Sequence, residues 1–78
     1  NKVVIAKDVN LIAFDEITEP VRVEAKIRYS AKPSPATVYK IDNNKIKIVF
    51  DEPQRAITKG QSVVMYNGDV VVGGGIIC

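Results

Sequence analysis

Val21-Arg22-Val23-Glu24-Ala25-Lys26-Ile27-Arg28 decides the class of fold. Apolar residues hold every odd position and charged residues every even one, a period of two that fits a half-buried strand and offers no helical face. Tyr29 to Pro35 then breaks the alternation, and Pro33 and Pro35, which lack an N–H for a ladder, predict a loop. Thr37, Tyr39 and Ile41 lead into Asp42-Asn43-Asn44-Lys45, whose Asp and Asn residues tolerate left-handed backbone. Ile46, Ile48 and Phe50 return on the far side, which predicts a hairpin.

Working outward, Lys2-Val3-Val4-Ile5-Ala6 reads as a strand, and Asp51-Glu52-Pro53 ends the strand that carries Phe50. Thr58-Lys59-Gly60-Gln61 forms a turn in which Gly60 supplies positive φ, and a strand resumes over Ser62 to Tyr66. Asn67-Gly68, between two valine-rich runs, predicts a type I′ hairpin with positive φ at both central residues. Gly73-Gly74-Gly75 inside strand-like sequence marks a bulge, a bend or a close backbone approach. The stretch from Leu11 to Glu19 has no 3.6-residue apolar face and stops at Pro20, so no helix is expected. The chain is therefore all-β. About six short strands leave open edges unless the sheet closes, and a small closed or nearly closed antiparallel barrel removes them.

The 78 residues suffice for one compact domain, 1–78, and 46% hydrophobic with 26% charged residues is a globular composition. No run approaches the roughly 20 apolar residues of a membrane span, and no signal peptide opens the chain, so a soluble, cytoplasmic protein without a membrane partner is expected. A start at Asn1 that runs at once into a strand reads as a piece of a longer protein. Histidine is absent and Cys78 is the sole cysteine, which excludes histidine-based or multi-cysteine metal sites and Ser-His-Asp or Cys-His nucleophiles built from this chain alone.

Net charge is only +2, but Val21 to Val49 holds seven basic residues (Arg22, Lys26, Arg28, Lys32, Lys40, Lys45, Lys47) against Glu24 and Asp42. Such a stretch is either a phosphate-facing surface or a set of solvated outer strand positions. The glycine triplet lacks the Lys-Ser/Thr pair and following helix of a phosphate loop. Asp42-Asn43-Asn44 lacks the glycine and glutamate of a calcium loop, and the neighbours Asp51 and Glu52 point to opposite faces of a strand. Arg28-Tyr29 is the stronger pair, since a guanidinium can clasp phosphate and a phenol ring can stack on a base or ribose. Gln61, just after the Gly60 turn, can donate to a ribose or phosphate, or equally cap the turn it follows.

The order Lys26-Ile27-Arg28-Tyr29, Pro35-Ala36-Thr37-Val38, Val49-Phe50-Asp51-Glu52-Pro53-Gln54-Arg55-Ala56-Ile57-Thr58-Lys59-Gly60-Gln61, Val64-Met65-Tyr66-Asn67-Gly68-Asp69 and Gly73-Gly74-Gly75-Ile76-Ile77 closely resembles the C-terminal domain of the bacterial and organellar tRNA-specific 2-thiouridylases. Upstream, Asp8-Val9-Asn10-Leu11-Ile12 is similar to that family's Asp-Val-Asn-Trp-Leu segment, so the likeness covers nearly the whole chain. The resemblance implies a six-stranded barrel like the second domain of translation elongation factors.

It also implies a parent enzyme, a tRNA-uridine 2-sulfurtransferase, whose upstream domains bind ATP, adenylate the C2 oxygen of the anticodon wobble uridine and transfer sulfur from a cysteine persulfide. The implied partners are tRNA, those catalytic and central domains, and a sulfur-relay protein or desulfurase. No cofactor and no catalytic residue is then expected in this chain, Cys78 included. In that family the domain's tRNA contacts fall on residues matching Arg28, Tyr29 and Gln61, with diffuse help expected here from Lys26, Lys32 and Lys59. Two departures are visible: Ser30-Ala31 stands where the family often has Arg-Gln, and Lys59 stands where it favours proline. A different class of role, a structural barrel packing against its parent through Val70 to Ile77, is the rival expectation.

Overall fold

The computed structural model describes residues 2–13, 17–27, 32–42, 44–54 and 57–78. Six strands form: β1 Val3–Leu11, β2 Val21–Ile27, β3 Ser34–Lys40, β4 Ile46–Phe50, β5 Ser62–Asn67 and β6 Val70–Ile77, with no helix among the described residues. They close into a barrel in the order β1-β4-β3-β2-β5-β6, every neighbouring pair antiparallel. Closure leaves no strand with a free edge, so it settles the open choice between closed and nearly closed.

The alternation of β2 turns into burial as expected, with Val23, Ala25 and Ile27 inside. Across the barrel Val38, Ile48, Phe50, Val63, Met65 and Val72 are fully enclosed and form the centre of the core. Because β1 is not beside β2, nor β4 beside β5, the two linking segments must cross the ends of the barrel. Each brings an isoleucine: Ile17 is buried in the core and Ile57 packs against it, so both ends are stoppered by side chains.

Three local details depart from the sequence expectations or sharpen them. Pro35 lies inside β3 rather than in the loop before it, opposite Glu24 of β2. It is tolerated because its carbonyl is the group in use, accepting from the Asp51 N–H at 3.1 Å, and no N–H is required of it there. The β5–β6 hairpin turns on Gly68-Asp69, not Asn67-Gly68, since Asn67 is already paired with Val70. Positive φ occurs at Gly68 (61°) and at neither Asn67 nor Asp69, the pattern of a II′ hairpin with glycine first.

The third detail is a pair of bulges on the strands that meet at the seam. On β6 the register steps by one between Met65↔Gly73 and Tyr66↔Val71, leaving Val72 as the extra residue. Val72 turns inward, and its carbonyl accepts from the N–H groups of both Ile12 (2.8 Å) and Ala13 (3.2 Å). On β1 the step falls between Lys7 and Asn10, where Asp8 adopts φ 52°. Left-handed backbone costs an L-residue roughly 1–2 kcal/mol, less for Asp than for most. Asp8→Gly is therefore expected to raise stability by about 0.5–1 kcal/mol in urea denaturation, and Asp8→Val to lower it. A stabilising Asp8→Val would contradict the strain assigned to this bulge.

Candidate nucleic-acid interface

The antiparallel pairing sorts the polar residues by end. At one end β2 and β6 finish while β3 and β5 begin; it carries Gln61 and is the Gln61 rim. The opposite end, where β6 begins and β1 finishes, is the Val70 rim.

Gln61 sits where the segment crossing the barrel returns to β5. Gly60 takes φ 91° in the turn, its N–H donates to the Ile77 carbonyl at 2.7 Å, and the Ile77 N–H donates back to the Gln61 carbonyl at 2.8 Å. The Gln61 side chain is 7% exposed, and its Oε1 accepts from the Thr58 N–H at 2.9 Å. The capping role is thus filled by the amide oxygen, which leaves the NH2 group as the part suited to donate to another molecule. Arg28 and Tyr29 lie outside the described residues. The described neighbour that leads into them, Ile27, is paired with Val63, two residues beyond Gln61.

Lys26 pairs with Val64 near the same rim, and Lys32 and Lys59 lie in segments that join strands there. The basic residues of the middle of the sequence do not form one stripe, however. Lys40 and Lys45 flank the hairpin at the Val70 rim, and Lys47 lies over the Tyr39 ring, 5.1 Å from its centroid. Arg22 is taken up by Asp51: Nη1 and Nη2 donate to Oδ1 and Oδ2 at 2.7 and 2.8 Å, and Nη1 also reaches Thr37 Oγ1 at 3.0 Å.

The hydrogen bonds from Arg22 hold the Asp51 carboxyl below its ordinary value and hold Arg22 protonated still more firmly. A carboxyl depressed in the fold contributes stability that is whole above its unfolded pKa and disappears as pH falls through the folded one. The stability gap between the parent chain and Asp51→Asn is therefore expected to be constant from pH 7 to about pH 5 and to close below about pH 4. The pair is exposed, so the gap is small and should shrink in 1 M salt. Urea midpoints across pH measure it, and a gap unchanged at pH 2.5 would contradict the coupling.

One feature of the outer wall was not singled out in the sequence. Tyr66 of β5 and Pro35 of β3 are both opposite Glu24, so phenol, carboxylate and proline ring line up across three strands. Together with Lys26, Pro33, Gly68 and Asp69 the Tyr66 and Glu24 side chains line a shallow groove of about 300 Å³. The signal was present: burial of Val63 and Met65 on alternate positions puts Val64 and Tyr66 on the outer wall.

The model of the aminomethyltransferase beta-barrel domain matches residues 1–77. The chain belongs to that family. Among the relatives of this barrel family, the tRNA-specific 2-thiouridylase MnmA of Clostridioides difficile (strain 630) is 72% identical over 76 residues, which is 97% of this chain and 21% of that protein. The tRNA-specific 2-thiouridylase MnmA 2 of Clostridium botulinum (strain Langeland) is 63% identical over 73 residues, covering 94% of this chain and 21% of the relative. The MnmA of Acetivibrio thermocellus is 57% identical over 77 residues, covering 99% and 21%. The barrel corresponds to the C-terminal part of these proteins and spans about one fifth of their length. The resemblance drawn from the ordered sequence motifs is thereby borne out, as is the all-β barrel it implied. No helix among the described residues is long and apolar enough to cross a membrane.

Proposed function

We propose that this barrel is the tRNA-contacting C-terminal module of an ATP-dependent tRNA-uridine 2-sulfurtransferase, holding the anticodon arm so that an upstream active site reaches the wobble uridine. The observation that carries the reading is the pairing of Ile27 with Val63, which brings the strand leading into Arg28-Tyr29 beside the start of β5, at the rim where Gln61 is held. A guanidinium, a phenol and an amide NH2 contact phosphate, ribose and base faces without reading sequence, as a module that orients its substrate requires. Lys26, Lys32 and Lys59 add diffuse attraction on the same side. ATP and the sulfur relay belong, on this reading, to the upstream domains, which work in the cytoplasm where tRNA is modified.

The test uses the full-length enzyme. Arg28→Ala is expected to weaken tRNA binding roughly tenfold, the worth of one charge-assisted hydrogen bond, and to lower the slope of log affinity against log salt by about one. Thiolation should fall in parallel. Gln61→Glu keeps an oxygen for the Thr58 N–H but replaces the donor with a carboxylate, so it should weaken tRNA binding, and because the residue is 7% exposed it should also lower the melting temperature, which thermal denaturation reads separately. Filter binding over a salt series reads both variants, and unchanged affinity and thiolation in Arg28→Ala would defeat the proposal.

A further inference from the structure

The Val70 rim has an apolar side with no counterpart in the RNA-contacting role. Ile12 is 67% exposed, Val70 57% and Val71 37%, and the three lie together because the Val72 carbonyl ties Ile12 and Ala13 to the start of β6. Val70 and Val71 pair in regular register with Asn67 and Tyr66 at the tip of the β5–β6 hairpin and are both exposed there, while Val72, beyond them at the register step, is buried.

We infer that Ile12, Val70 and Val71 form the surface by which this barrel docks onto the preceding part of its own polypeptide in a full-length thiouridylase. Two observations favour that occupant. The relatives place about four fifths of their length outside this domain, so a large protein surface is covalently at hand. Aliphatic side chains offer nothing to phosphate, and the residues assigned to RNA gather at the other end, so the two contacts do not compete for one face. The inference rests on the barrel being part of such an enzyme, but not on Arg28, Tyr29 or Gln61 touching tRNA.

Hydroxyl-radical footprinting of the full-length enzyme without tRNA reads side-chain cover directly. Ile12 and Val70 should be modified several-fold more slowly than Val3, an exposed aliphatic residue at the start of β1 on the Gln61 rim. Val70→Lys, and the milder Val70→Ser, should expand the particle in small-angle scattering and leave the affinity lost in Arg28→Ala largely intact. Modification of Ile12 and Val70 at the rate of Val3, with unchanged scattering in both variants, would overturn the inference. So would protection that appears only on adding tRNA, or only at concentrations where the enzyme sediments as a dimer, because the cover would then be RNA or a second copy. Loss of tRNA binding in Arg28→Ala with Ile12 and Val70 fully modified would reject this surface and leave the RNA reading standing.

Discussion

Replacing Gly73 by alanine is expected to remove about 3 kcal/mol of stability, at the upper end of what overpacking costs. A Cβ at Gly73 would stand 2.4 Å from the Asn10 carbonyl oxygen and 3.1 Å from the Leu11 Cα, both backbone atoms of β1. No rotamer change relieves such a contact, so β1 and β6 must separate, and they form the seam that closes the barrel. A domain of this size has on the order of 4–12 kcal/mol in total, so the loss is a large fraction. Gly60 is the informative control. It has open space around its Cα and positive φ, so alanine there should cost only about 1 kcal/mol through backbone strain. Thermal or urea denaturation separates the two, and a Gly73→Ala loss no greater than that of Gly60→Ala would refute the close approach.

Phe50→Ala should cost still more, about 4 kcal/mol. Phe50 ends β4 at 1% exposure and is the largest of the fully enclosed side chains. Removing it forfeits the transfer of the ring from water and leaves a cavity that a closed barrel has little freedom to collapse. Phe50→Leu, which keeps most of the volume, should lose about 1–1.5 kcal/mol. The measurement is the urea midpoint at constant m, and an alanine variant within 1 kcal/mol of the parent would show that the ring does not fill the core.

Much of this architecture could be read from period alone. The β2 alternation, the enclosed Ile46-Ile48-Phe50 face and the Gly60 turn all depend on neighbours close in sequence, where side-chain period and φ preference act. What escaped depends on partners far along the chain. Asn67-Gly68 carries the usual hairpin signal, but Asn67 is paired with Val70 across the sheet, so Gly68-Asp69 makes the turn. Arg22 counted toward a basic stretch until topology placed Asp51, 29 residues away, against its guanidinium. Gln61 was legible as a residue with two uses, and only the fold reveals that its oxygen is committed to Thr58. Arg28 and Tyr29 are legible only through sequence motifs and family resemblance, because both lie outside the described residues.

The place of β6 between β1 and β5 bears on how this barrel keeps from sticking to other chains. Without β6 the same strand order would leave β1 and β5 each with a bare flank, able to recruit a stray strand from another chain. Closing the barrel thus pairs the first strand of the domain with the last, a long-range contact whose chain entropy must be spent before the hydrogen bonds reward it.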